Sequence, residues 1–327
     1  MSPSGVRHRA DIRRETGSTV NSRMLFVALL QAGLTLQLAS GSAAGQSIAQ
    51  EAAKKLGREL ETRKSVELKV HVDIRVGENA PPIPFPVGDK IFDSWNAHFI
   101  EDGARRFRDL RFTLEGKESP HQTHYSDGER FAEVSYDPKA LETQSQVAIN
   151  RVFQNETDGD RMERPNPVFF LYVGKTPLPQ ALAKASHLGA DTVLQRKCDV
   201  FLFKGVRWYR PQDHVYYLDH ETAIPLKVAA FENEAERTAG RPLWIWTAQS
   251  LDKVQGHPIV LNSTMAAHAG KREPHSRWIT RTTSASFGKK HPDSTFWPKF
   301  DPGVSIHDQT IAVPPELLVL PPPPRAD

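Results

Sequence analysis

The chain has 327 residues, with 42 Lys or Arg against 39 Asp or Glu and a single cysteine. Residues 1–44 hold Arg7, Arg9, Arg13, Arg14 and Arg23 against Asp11 and Glu15, a net +3 that equals the whole-chain formal charge of +3. The remainder is formally neutral, which excludes the basic surface that nucleic-acid binding normally needs, and a lone cysteine excludes an internal disulfide.

Met24 to Leu38 is an uncharged, mostly apolar run, too short to span a membrane. Small residues follow from Ala39 to Gly45, with Ser42 and Ala44 placed as the minus-three and minus-one residues of a signal-peptidase site. Residues 1–44 are therefore read as a Sec signal peptide with an over-long n-region, cleaved to leave Gly45 first, in preference to a buried core helix. A start at Val20 would leave a short n-region. Arg13-Arg14 is followed by Glu15, Thr16 and Gly17 where a twin-arginine signal needs an apolar residue, and no cysteine marks a lipobox. The expected location is periplasmic or otherwise extracytoplasmic, with no transmembrane segment after cleavage.

Ser47 to Lys64 predicts an amphipathic helix, with Ala49, Ala52, Ala53, Leu56 and Leu60 on one stripe and Ser47 and Gln50 as a capping box. Val66 to Val76 alternates six apolar residues with Glu67, Lys69, His71, Asp73 and Arg75, which predicts a long strand with one apolar and one charged face. Pro81, Pro82, Pro84 and Pro86 predict a stiff loop up to about Trp95. Leu110 to Leu114 alternates again, and Asp127-Gly128 is a hairpin signal between His121–Ser126 and Glu129–Tyr136. Val147–Phe153 and Val168–Val173 read as strands, and Pro177 to Leu188 as a short helix ended by Gly189. A meander of Thr192–Phe203, Val206–Arg210, His214–Leu218, Ile224–Phe231, Leu243–Leu251, His257–Ala266 and Arg277–Phe287 follows. The expected division is a β domain over 45–288, an extension over 289–312 and a proline-rich tail over 313–327.

Within the meander, VYYLDHETAIPLKVAAF from Val215 to Phe231 is a strand, a tight corner and a returning strand, with Asp219, Thr222, Pro225, Leu226 and Lys227 at the corner. It resembles the leucine-aspartate, turn, Pro-Leu, basic-residue hairpin of the bacterial lipoprotein carrier and sorting proteins and related periplasmic half-barrel domains. Tyr125-Ser126-Asp127-Gly128 resembles the Asp-Gly hairpin of the same superfamily. Two departures stand out: Ala223 occupies the place of the usual turn glycine, and the chain is longer than a typical carrier. The resemblance implies a mainly β (α+β) fold, a long antiparallel sheet curved into an incomplete barrel and packed on an N-terminal helix and a short helix. It also implies an apolar cavity for acyl chains. The carrier's functional arginine has no counterpart that the sequence locates.

The apolar face from Val66 to Val76 would give such a cavity a floor about 30 Å long; the alternative is that the N-terminal helix fills it. The ligand-binding candidates are Val70, Val72, Ile74, Phe112, Leu114, Trp244 and Trp246. The two tryptophans could form an aromatic rim with Trp208-Tyr209 and Tyr216-Tyr217, or serve as core anchors. His121 and His124, Asp213-His214 and Asp219-His220 lack the three or four converging ligands of a zinc site, since an i, i+3 pair on a strand points to opposite faces. Cys198 on a strand reads as a small buried hydrophobe. With no Gly-rich phosphate loop, GxSxG elbow, HExxH helix or carboxylate pair, no catalytic residue, metal or cofactor is assigned. The expected function is non-catalytic binding of an apolar ligand, a lipid or lipoprotein acyl chains. The alternatives are an envelope sensor or protein-interaction module, working through the sheet edge or aromatic rim, and an envelope hydrolase.

Overall fold

The structure, a computed structural model, describes residues 44–76, 93–119, 122–151, 169–174, 176–207, 211–268, 274–308 and 310. The chain divides into two units, Met1–Ala44 and Gly45–Asp327, and all described residues except Ala44 belong to the second. The expected signal peptide, the Pro81–Pro86 loop, Trp208-Tyr209, His121 and the 313–327 tail lie outside the described residues.

Helix α1 (44–63) leads directly into strand β1 (Ser65–Val76). A first meander continues through β2 (Ser94–Asp102), β3 (Arg105–Leu114), β4 (Lys117–Glu118), β5 (Gln122–Ser126), β6 (Arg130–Asp137) and β7 (Ala140–Arg151). A two-stranded ribbon, β8 (Tyr172–Val173) with β9 (Thr176–Pro177), and a short helix α2 (Leu178–Ala181) extended by a 3-10 turn (Leu182–Lys184) form the crossover. The second meander is β10 (Ser186–Val193), β11 (Arg196–Arg207), β12 (Pro211–Asp219), β13 (Pro225–Phe231), helix α3 (Glu234–Thr238), β14 (Trp244–Val254), β15 (His257–Ala267) and β16 (Ser276–Phe287). Last comes β17 (Ser305–Asp308).

These strands form one long sheet in the order β10-β11-β12-β13-β14-β15-β16-β1-β2-β3-β5-β6-β7-β17, with β4 attached to β3. Among the described strands it does not close into a barrel, and β10 and β17 stand at its two ends. The register places Phe112, Trp95, Val72, Thr280, Ser263 and Ala248 in one row across six neighbouring strands. Directly opposite side chains share a face, so this row defines the inner face, on which α1 and α2 lie. Ala49, Ala52 and Leu56 of α1, at helical spacing, join Leu178, Ala181 and Leu182 in a core with Phe201, Tyr216, Leu226, Val228, Trp244 and Trp246. The far end of α1 is fastened by Arg63, which donates to Pro258 O at 2.5 Å and to Glu59 Oε1 at 2.9 Å and lies over the Phe287 ring. Lys64, in the left-handed region at φ 59°, ends the helix and turns the chain into β1.

The outer face is crossed by the segment after β16. Lys289 Nζ donates to Glu67 Oε2 at 2.8 Å, and Ser65 Oγ donates to Lys289 O at 2.7 Å. Arg105 binds Asp293 and lies over the fully buried Phe296. Trp297, Phe300 and Val304 then cover Ala132, Val134, Val147 and Ile149. Gln144 and Asp301 exchange hydrogen bonds, and β17 pairs with β7. The extension is thus a strap over β1–β7.

Several details differ from the sequence reading. The sheet is antiparallel except for β17, which runs parallel to β7. Residue 44 is already helical, so Ser47 sits within helix α1 rather than at its N-cap and makes no capping box. Trp95 belongs to a strand, β2, because its alternation with Ala97 and Phe99 gives an apolar face to the sheet. The helix expected over Pro177–Leu188 stops at Lys184. His187 and Gly189 lie on β10, where Gly189, at φ 117°, stands at a register shift. Thr192–Phe203 is two strands, reversed at Leu194-Gln195 with both residues at positive φ (53° and 59°), and Val206 continues β11. Of the strand expected over Val168–Val173, Tyr172–Val173 is a strand (β8), Phe169–Leu171 is a 3-10 turn and Val168 lies outside the described residues. Asp127-Gly128 does reverse the chain. Asp127 Oδ1 accepts from Glu129 N and Arg130 N, and Gly128, at φ 99°, approaches Ala104 so closely that a Cβ would stand 3.3 Å from that residue's Cβ.

Candidate ligand-binding face

The inner face has two different halves. Over β10–β15 it is covered by α1, α2 and Phe170, whose ring stacks on Trp246 at 4.3 Å between centroids. Trp244 and Trp246 are both buried in that half. Over β1–β3 the apolar cluster consists of Leu68, Val70, Val72, Trp95, Ala97, Phe99, Leu110 and Phe112, joined by Ile259 and Phe287 and flanked by Ile74, Leu114 and Trp278. No residue of α1 or α2 belongs to it. Val70, Val72, Ile74, Phe112 and Leu114 are therefore brought together on one floor, while Trp244 and Trp246 stand in the neighbouring core and connect to it through Met265 and Trp278.

Polar atoms interrupt the inner face in two places. Ser263 Oγ and Thr280 Oγ1, directly opposite each other on β15 and β16, and Trp246 Nε1 nearby are buried without a hydrogen-bond partner. On the other side of the floor, Arg108 alternates with Leu110 and Phe112 and so shares their face. The register sets Arg108 opposite His124, and His124 opposite Glu133. Burial and the Arg108 charge push the His124 pKa down to about 3, so the ring is neutral, and neither of its nitrogens has a partner. Phe131 packs edge-on against that ring. Burial raises the Glu133 carboxyl above its ordinary value.

Asp219 and His220, at the Val215–Phe231 corner, serve structural contacts. Asp219 accepts from Arg196 Nε and Nη2 (2.7 and 3.1 Å) and from Thr222 N and Oγ1 (2.9 and 2.6 Å). Burial alone would raise its pKa, but these donors hold it below the usual value. Ala223 takes the left-handed turn position at φ 59°. Cys198 is fully buried, and burial pushes its thiol up to about 11, far from the thiolate a nucleophile needs. His220 pairs with Asp199 at 2.8 Å. Among the described residues no three His, Cys, Asp or Glu side chains converge as a metal site, and no helix is long and apolar enough to cross a membrane.

No protein-family model and no curated protein matches this chain. Solved structures do resemble it. A DUF1329 family protein from Desulfovibrio piger aligns with a TM-score of 0.48 and 11% identity over 78% of this chain and 96% of that one. An outer membrane lipoprotein-sorting protein domain from Vibrio parahaemolyticus gives 0.47 and 13% over 78% and 97%. A LolA superfamily protein from Nitrosomonas europaea gives 0.44 and 13% over 76% and 96%.

Sequence reading missed Trp95, Ala97 and Phe99, although their alternation with Asn96 and His98 was available as a signal. It also missed Arg108 and Glu133. Arg108 was visible only as a charge in phase with Leu110 and Phe112, and its neighbours His124 and Glu133 follow from inter-strand register.

Proposed function

We propose that this chain is an extracytoplasmic, non-catalytic binder of an apolar ligand, a lipid or the acyl chains of a lipoprotein, seated on the β1–β3 floor. The observation that carries this reading is the floor itself: eight buried aliphatic, aromatic and alanine residues on three adjacent strands, with the helices placed over the other half of the sheet. Each methylene buried against such a floor contributes about 0.8 kcal/mol; because the eight floor residues are at most 5% exposed, a bound tail takes the place of chain atoms that cover them in the ligand-free protein. Val70, Val72, Ile74, Phe112 and Leu114 are the proposed contacts, and the signal-like apolar run Met24–Leu38 followed by small residues supports the location. The test is uptake of a fluorescent fatty acid by delipidated protein, with native mass spectrometry of protein extracted gently from the envelope. Ala97→Phe, which adds six carbons at a buried position of the floor, is expected to weaken uptake about tenfold or more. Protein that carries no lipid and takes up no fatty acid would remove the reading.

One observation favours a second reading, recognition of a protein partner by strand addition. Among the described strands β10 has a single neighbour, and Leu188 on it is 48% exposed. Such an edge offers unpaired backbone groups to an extended peptide. A pull-down from envelope extract in which wild type and Leu188→Lys retain the same proteins would count against it.

A further inference from the structure

The β1–β3 floor ends abruptly at a row of polar residues. Phe99 on β2 stands opposite Arg108 on β3, and from there the row continues as His124 on β5 and Glu133 on β6. Arg108 and His124 are only 8% and 7% exposed, on the same face as Leu110 and Phe112. Burying a charged guanidinium and a ring with two unmade hydrogen bonds is costly, and neither residue is needed to continue the sheet. Arg108 is already engaged within the protein, but a guanidinium has five N–H donors in a fixed fork that suits carboxylate and phosphate oxygens. A neutral imidazole adds one N–H donor beside it.

Resting on the lipid reading above, we infer that Arg108 and His124 form a head-group site for an anionic amphiphile, the charged oxygens held by Arg108 Nη and a His124 ring N–H while the tail lies over Phe99, Leu110, Phe112 and Val72. The shared chemistry is an anionic oxygen pair on an apolar tail, from a free fatty acid or from a phospholipid phosphate. Glu133 stands two strands from Arg108, about 10 Å at the usual strand spacing, and sets the far limit of the site by repelling an anion.

Calorimetry with matched ligands tests this: oleate against oleyl alcohol, and dioctanoyl phosphatidic acid against dioctanoylglycerol. The full chain is expected to prefer at least one charged ligand over its neutral match about tenfold or more, and the pair with the larger preference tells carboxylate from phosphate. Arg108→Gln is expected to bring that preference within about twofold while the neutral ligand binds as before. Glu133→Gln is expected to tighten the charged ligand. Because Arg108→Gln could disturb folding, the wild-type protein supplies a second measurement: the ring-proton signal lost in His124→Gln is expected to shift with the charged ligand and stay with the neutral one. Equal binding of charged and neutral ligands, a preference that survives in Arg108→Gln, or weaker charged-ligand binding in Glu133→Gln would overturn the head-group site and leave the lipid reading standing. If none of the four ligands binds, both fall together.

Discussion

Val72 and Asp73 are neighbours in sequence with opposite surroundings. Val72 is fully buried on the floor, whereas Asp73 faces the outer side, bound to His71 at 3.0 Å and to Arg281 at 2.8 Å and about a third exposed. Val72→Asp is expected to cost about 3–5 kcal/mol, since an unpaired carboxylate there has no counter-charge, and Asp73→Val under about 1 kcal/mol. Urea melts of the two variants check the order. At the Val215–Phe231 corner, Asp219→Asn weakens the bidentate Arg196 contact and is expected to cost about 1.5–3 kcal/mol. Ligand affinity should be unchanged, because the corner lies away from β1–β3. Loss of binding at an unchanged melting temperature would instead place Asp219 in a functional site. The β10–β11 reversal holds Leu194 and Gln195 in a conformation that favours Asn and Gly. Leu194→Asn with Gln195→Gly is therefore expected to raise stability by about 1–2 kcal/mol, read as a higher denaturation midpoint.

At the scale of elements, the strap over β1–β7 explains why the charged face of β1 is half-covered. Glu67 is half-buried, which would raise its pKa, but hydrogen bonds from Lys289 and His98 pull it down to about 2. Because the folded value lies below the ordinary 4.5, acid favours the unfolded chain. This contribution is complete above about pH 4.5 and is lost as pH falls toward 2. Glu67→Gln is expected to lower stability by about 1–2 kcal/mol at pH 6, allowing for the exposed Lys289, and to match wild type near pH 2. Denaturant midpoints across that range check it. Phe296→Ala, which empties the fully buried anchor of the strap, is expected to cost about 3–5 kcal/mol. The elements legible in the sequence were those with clean alternation, such as β1 and the Leu110–Leu114 part of β3, and those set apart by regular meander spacing, such as β14 to β16. The Leu194-Gln195 turn was hidden because neither residue type marks a reversal. β17 was hidden because all four of its residues are exposed on an edge and carry no pattern. The aliphatic part of the candidate site shows in single strands; the Arg108–His124–Glu133 row arises from the register of three strands, which no single strand encodes.

At the scale of the whole molecule, each meander is built from neighbours in sequence, but the two meet at one seam, where β1 pairs with β16. Glu67 and Ser286 touch across that seam although 219 residues separate them. Holding so distant a pair together adds little to the equilibrium cost, since loop-closure entropy rises by only about 0.6 kcal/mol per doubling of length. Kinetically the consequence is large. A chain emerging from its N-terminus completes β2 to β7 early and must wait with β1, a 12-residue amphipathic strand, bare along one side until residues 276–287 arrive. Pulsed hydrogen exchange during refolding should find the amides shared by β1 and β16 among the last protected. In that interval β1 is a waiting edge, open to wrong partners and in need of shielding by whatever meets the nascent chain.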